Sequence, residues 1–145
     1  MALNKRNERQ NAIRQIIREE TLFTQRDLVN ALKERGYVCT QATVSRDIAE
    51  MNLHKMPDGG YVLSEDLYLQ RMISELVIDV NRAGNLVVIK ASVGTASGVA
   101  AALDAAVLSG LLGSVAGDDT ILVIAADDEQ ALAFETMVNK IRRRQ

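Results

Sequence analysis

The chain has 145 residues, enough for one domain or two small ones, and its 48% hydrophobic and 25% charged residues are a globular balance. No run approaches the roughly 20 apolar residues of a membrane span, the opening MALNKRNERQ is polar rather than signal-like, and Cys39 is the single cysteine. An intrachain disulfide framework and a cysteine-based zinc cluster are thereby excluded, and the expectation is a cytoplasmic protein.

The net charge of −2 conceals a split. Residues 1–64 carry ten Lys/Arg against eight Asp/Glu, and residues 65–145 carry seven against eleven, so the two halves suit different partners. Aromatic residues make up 3% and Trp is absent, which argues against a base-stacking platform for single strands. A module that reads a duplex needs Arg and hydrogen-bonding side chains instead, and stays open.

In chain order, Ile13, Ile16 and Ile17 recur at helical spacing between Asn4 and Glu20. Thr24 and Asp27 approximate a capping box for a second helix, with Leu28, Val29, Ala31 and Leu32 inside and Gly36 ending it. Thr40 can cap a third helix running to Met51, whose apolar stripe is Val44, Ile48 and Met51. Gln41, Thr43, Ser45, Arg46 and Asp47 are expected around its other faces. Pro57-Asp58-Gly59-Gly60 between LHKM and YVL signals a hairpin. Three short helices and a hairpin predict a winged helix-turn-helix over 1–64, whose third helix would enter a major groove.

Residues 65–71 read as a polar linker before a second domain over 72–145. There ISELVIDVNRAG and NLVVIKASV read as strands, Gly94–Ser109 as a helix, LLGSVAGDD and TILVIAAD as strands, and Asp127–Arg143 as a helix. That order, ββαββα, predicts an α/β sandwich. Asp104 is the only charged residue between Thr95 and Ser109, and a helix apolar nearly all round seeks burial on more than one side. Subunit contacts through this half are the expectation.

Two constellations carry chemistry. In TQATVSRD, Arg46 has the geometry for guanine O6 and N7 and Gln41 for adenine N6 and N7, with Thr43 and Ser45 available to phosphates or bases. Lys55 on the wing, with Arg6, Arg9 and Arg26, would add backbone contacts; a solvated helix face is the plainer alternative. The second constellation is acidic: Asp104, and Asp118-Asp119 after Gly117, in a stretch from Ala91 to Asn139 without Lys or Arg. Buried together these carboxylates need a partner from outside the segment, whether a metal, another subunit or a cationic ligand, and a guanidinium's planar fork suits best, whereas an exposed hairpin turn asks for none. His54 has no triad-like company, and no phosphate-binding glycine loop or His/Cys metal set appears. Arg142-Arg143-Arg144 suits the negative end of the last helix.

TQATVSRD at 40–47, PDGGYVL at 57–63, the Gly94–Asp104 segment and above all LLGSVAGDDTILVI at 111–124 resemble the bacterial arginine repressor family over essentially the whole chain. The resemblance implies a winged-helix DNA-binding domain joined to an oligomerisation domain that forms trimers and hexamers. It implies L-arginine as co-repressor at the interface between trimers, with no metal, and repression at palindromic double-stranded operators; some members also activate catabolic genes. By motif position, Ser45 and Arg46 take base- and backbone-contacting roles. Asp118 and Asp119, beside Gly117, take the arginine-binding pair, and Asp104 the helix carboxylate. Where many members read Pro-Gly-x-Ala-Gln, this chain reads Val93-Gly94-Thr95-Ala96-Ser97, so Ser97 stands with shorter reach where a Gln can contact the ligand. A member that binds DNA constitutively or as an accessory protein is the alternative, and a regulatory subunit that never reads DNA is the more distant one.

Overall fold

The computed structural model describes residues 2–143, so Arg144 lies outside the described residues. Two compact units divide between Ser64 and Glu65.

The first unit opens with α1 (Ala2–Glu19), α2 (Gln25–Glu34) and α3 (Gln41–Glu50), followed by a hairpin of β1 (Leu53–Lys55) and β2 (Tyr61–Leu63). Thr24 makes a full capping box for α2: its hydroxyl accepts from the Asp27 N–H at 3.0 Å, and the Asp27 carboxylate accepts from the Thr24 N–H at 3.1 Å. The shorter Asp side chain therefore suffices where Glu is usual. The buried side chains Ile13 and Ile16 of α1, Leu28 and Leu32 of α2 and Val44 of α3 form one core, with Ile17, Ile48 and Met51 partly buried around it. Antiparallel pairing of Leu53 with Leu63 and Lys55 with Tyr61 closes the hairpin, whose turn is held by Gly59 at φ +93 and by the Asp58 carboxylate accepting from the Gly60 N–H.

The division falls after the first residue of α4 (Ser64–Leu76), and the second unit continues with β3 (Val77–Ala83), β4 (Leu86–Ala91), α5 (Ala96–Ala106), β5 (Leu111–Ala116), β6 (Thr120–Ala125) and α6 (Asp128–Arg142). The four strands form one antiparallel sheet in the order β3-β4-β6-β5. Val87, Ile89, Ala91, Ile121, Val123 and Ala125 point to one face and pack with residues of α4, α5 and α6. The alternate residues Val88, Leu122 and Ile124 are half-buried on the other face, alongside the exposed Leu86 and Val115. Among the described residues of this unit, the helices pack on the first face.

The expectation of a polar linker over 65–71 is wrong, because these residues are the first half of α4. Leu69 begins an apolar stripe completed by Met72, Ile73 and Leu76, beyond the expected boundary, and Glu65 and Asp66 favour the helix start. Ile73 through Leu76, read as the start of a strand, are helical for the same reason. Met72 packs on α5, its methyl 3.3 Å from where a side chain at Gly98 would begin. The expected helix over Gly94–Ser109 is shorter, because Val107 at φ +49 stops it, its N–H bonded to the Asp104 carbonyl.

Candidate nucleic-acid interface and acidic turn

Helix α3 is held at its start by Thr40, whose hydroxyl accepts from the Thr43 N–H at 3.2 Å. The Thr43 hydroxyl lies 3.0 Å from that of Thr40, so Thr43 is drawn into the cap rather than left on the open face. Exposed along α3 are Gln41, Ala42, Ser45, Arg46, Ala49 and Glu50; the first five form one stripe at helical spacing, with Glu50 at its edge. Gln41 reaches back to the Gln25 side-chain oxygen at 3.5 Å. On the wing, Lys55 is exposed with its ammonium 5.4 Å from the Tyr61 ring centroid, a cation–π contact that leaves the charge at the surface.

The structure departs from the sequence reading at two residues of this surface. Asp47, expected on an outer face, is the one buried charged residue among the described residues, at 1% exposure. Arg9, expected to face a phosphate backbone, is turned onto it: Nε donates to Oδ2 at 2.5 Å and Nη2 to Oδ1 at 2.9 Å. Gln10 donates to Asp47 at 3.0 Å and to Glu50 at 2.8 Å, and Arg6 pairs with Glu50 at 2.7 Å. Burial alone would raise the Asp47 carboxyl, but the bonds from Arg9 and Gln10 and the positive charges of Arg9 and Arg6 carry it below the ordinary range. The bond to Asp47 holds the Arg9 guanidinium above its own. The helical spacing held the signal, since Asp47 lies three residues after Val44 and Arg9 four before Ile13, both on buried faces. Burial also pushes the Cys39 thiol up, so this cysteine is not an activated nucleophile.

In the second unit, Gly117, Asp118 and Asp119 form the turn between β5 and β6. The Asp118 carbonyl accepts from the N–H groups of Gly94 and Ala96, each at 3.2 Å, and the Asp119 carbonyl accepts from that of Ala91 at 2.8 Å. The turn is thereby sewn onto the start of α5 by backbone alone, with neither carboxylate used in that attachment. Asp118 is exposed and Asp119 half so. A cation absent from the local sequence arrives across the sheet. The ladder sets Lys90 opposite Thr120, and its ammonium lies 2.8 Å from the Thr120 hydroxyl and 4.0 Å from Asp119 Oδ1. Thr120 in turn donates to Asp119 at 2.9 Å.

Ser97 and Asp104, seven residues apart on α5, are exposed on one face with Ala101 and Ala105. Asp104 borders a groove with Leu103, Val107, Leu108 and Leu111 that includes neither Asp118 nor Asp119. From Ala96, where the Asp118 turn docks, Asp104 is eight residues and about 12 Å along the helix axis. One chain therefore brings Ser97 near the acidic turn and leaves Asp104 at the far end of α5. All three carboxylates are solvated in the single chain, so burial there does not demand an external cation. Among the described residues no group of three or more His, Cys, Asp or Glu side chains is placed to share a metal ion, and no helix is long and apolar enough to cross a membrane.

Two family models match the chain: the arginine repressor DNA binding domain over residues 4–67 and the arginine repressor C-terminal domain over residues 73–142. Curated relatives agree along the chain. An arginine repressor of Thermus thermophilus is 45% identical over 88% of this chain and 85% of its own length. Those of Symbiobacterium thermophilum and Carboxydothermus hydrogenoformans are 44% and 41% identical, over 80% and 84% of this chain and 84% and 89% of their own.

Proposed function

The chain belongs to the arginine repressor family, whose members are DNA-binding, arginine-responsive transcriptional regulators and not enzymes, and from that premise we propose that it represses arginine-biosynthesis genes in the cytoplasm. It binds palindromic operators as a hexamer of two trimers, with L-arginine as co-repressor. The observation that carries this reading is the exposed stripe Gln41, Ser45 and Arg46 on a helix otherwise fixed by its cap and its buried face, with Lys55 exposed on the wing. Arg46 reads a guanine edge, Gln41 and Ser45 supply shorter contacts, and Lys55 meets phosphate. The domain over 1–64 reads DNA and the remainder binds ligand and assembles.

Arginine's guanidinium takes Asp118 and Asp119 beside Gly117, with Ser97 at the same end of α5, and Asp104, at the far end of α5 in the same chain, completes the site from a neighbouring subunit. The uncovered sheet face with Leu86, Val88, Val115, Leu122 and Ile124, and the small outer face of α5, support assembly. A ligand that bridges subunits raises operator affinity through linkage, because it favours the assembly that presents paired reading helices.

Fluorescence anisotropy of a labelled palindromic operator, titrated with and without millimolar L-arginine, tests this. Tightening with L-arginine but not with lysine is the expected result. Asp119→Asn weakens that response by at least about tenfold while sparing basal binding, and Arg46→Ala removes about 1–3 kcal/mol of base discrimination. Specific binding that ignores arginine would instead give weight to Ser97 and mark a constitutive member.

A further inference from the structure

The five-residue cluster of Arg6, Arg9, Gln10, Asp47 and Glu50 that joins α1 to α3 does more than close a core. Replacing a buried ion pair by apolar residues of similar volume is often neutral or stabilising, so holding α3 in place does not by itself call for a charge at Asp47. What apolar packing lacks is direction. Val44 and Ile48 set against Ile13, Ile16, Leu28 and Leu32 tolerate a roll or a slide of the helix, because the hydrophobic attraction has no preferred angle. A forked guanidinium on a carboxylate admits one geometry.

Arg46 and Asp47 are adjacent, so their side chains leave the helix about 100° apart. Fixing the azimuth of Asp47 fixes that of Arg46, and with it Ser45 and Gln41. Gln10 reaches both Asp47 and Glu50, one turn apart on α3, and Arg6 closes on Glu50. Two anchors one turn apart set both the rotation and the translation of a ten-residue helix too short to hold itself.

We infer that Arg9 is a positioning residue for sequence reading: through Asp47, with Gln10, Glu50 and Arg6 as an outer latch, it sets the angle at which α3 presents Arg46. The inference rests on α3 being the reading helix. Its rival is a phosphate seated in the open cleft that Arg6, Arg9, Thr43, Arg46, Asp47 and Glu50 line.

The test uses the full chain and a randomised duplex pool, from which the wild type first enriches a sequence. Failure to enrich any sequence would remove the reading of α3 and leave the clamp without its premise. Affinities for the enriched duplex and a scrambled one are then measured across a salt series for Arg9→Lys, Asp47→Asn and the apolar pair Arg9→Met with Asp47→Leu. The clamp predicts that all three lose at least about tenfold for the enriched duplex, stay within about twofold on the scrambled one, and keep the salt slope. The apolar pair separates positioning from stability, because it melts at or near the wild-type temperature and still loses discrimination. Equal loss on both duplexes with the salt slope reduced by about one would make Arg9 a phosphate ligand and overturn the inference. So would wild-type discrimination in the apolar pair or, should that pair not fold, in Arg9→Lys.

Discussion

On α3 the carboxylate that leaves solvent, Asp47, does so beneath a forked guanidinium, a glutamine amide and the field of a second arginine. At the β5–β6 turn, Asp118 and Asp119 stay at the surface, their position set by backbone bonds and their nearby cation, Lys90, held 4.0 Å off. The first arrangement is complete within one chain, because its charges already answer one another. The second is fixed by its backbone, with Asp118 exposed and Asp119 held only by the Thr120 hydroxyl and, more loosely, by Lys90. On the function proposed above, a surface that reads a large, rigid duplex is shaped before contact, whereas a site for a small cation keeps its carboxylates accessible until the cation arrives.

Substitutions sharpen this contrast, beginning with the largest effect. Asp47→Ala strands the Arg9 guanidinium and destabilises the first unit by about 3 kcal/mol, a large share of what so small a unit holds. Asp118→Ala and Asp119→Ala stay within about 0.5 kcal/mol. Urea unfolding of the three variants would erase the contrast if their losses were alike. Acid gives the same contrast a pH axis. Asp47 is held below its ordinary value near 3.8, so its contribution is fully present above that value and is lost as pH falls through the lower, folded one. The stability gap between wild type and Asp47→Asn is therefore flat from pH 8 to about pH 5 and closes only in stronger acid; a gap that moves between pH 6 and 8 contradicts the assignment.

Val107 offers a gain instead of a loss. It is a β-branched residue at φ +49 with 62% exposure, so glycine there relieves about 1 kcal/mol of backbone strain, read as a higher melting temperature. Lys90→Gln has the smallest effect, under about 0.5 kcal/mol, because the Lys90–Asp119 pair is about half exposed on both sides. A larger loss would mean that the turn leans on its lysine and is less free than its backbone bonds suggest.

The parts legible in the sequence are those fixed by local rules. Thr24 with Asp27, Thr40, Pro57-Asp58-Gly59-Gly60 and the alternation in β4 and β6 each specify their element within a few residues. The misplaced residues depended on packing over long separations. Asp47 reads as a polar residue on a polar helix until Arg9, 38 positions earlier, is folded against it. Lys90 is absent from the acidic stretch by one position and enters only through the strand register. Glu65 and Asp66 look like linker because the apolar residues that make their helix bury itself come after them.

That helix bears on how the protein can be cut. The two family matches leave residues 68–72 between them, inside α4. A fragment starting at residue 73 discards Leu69, which is 3% exposed, and the Met72 methyl packed over Gly98, and so uncovers the back of α5. Begun at residue 65, the fragment keeps its own lid. Crystallisation or ligand-titration work on the shorter piece would therefore be measuring a wound as well as a domain.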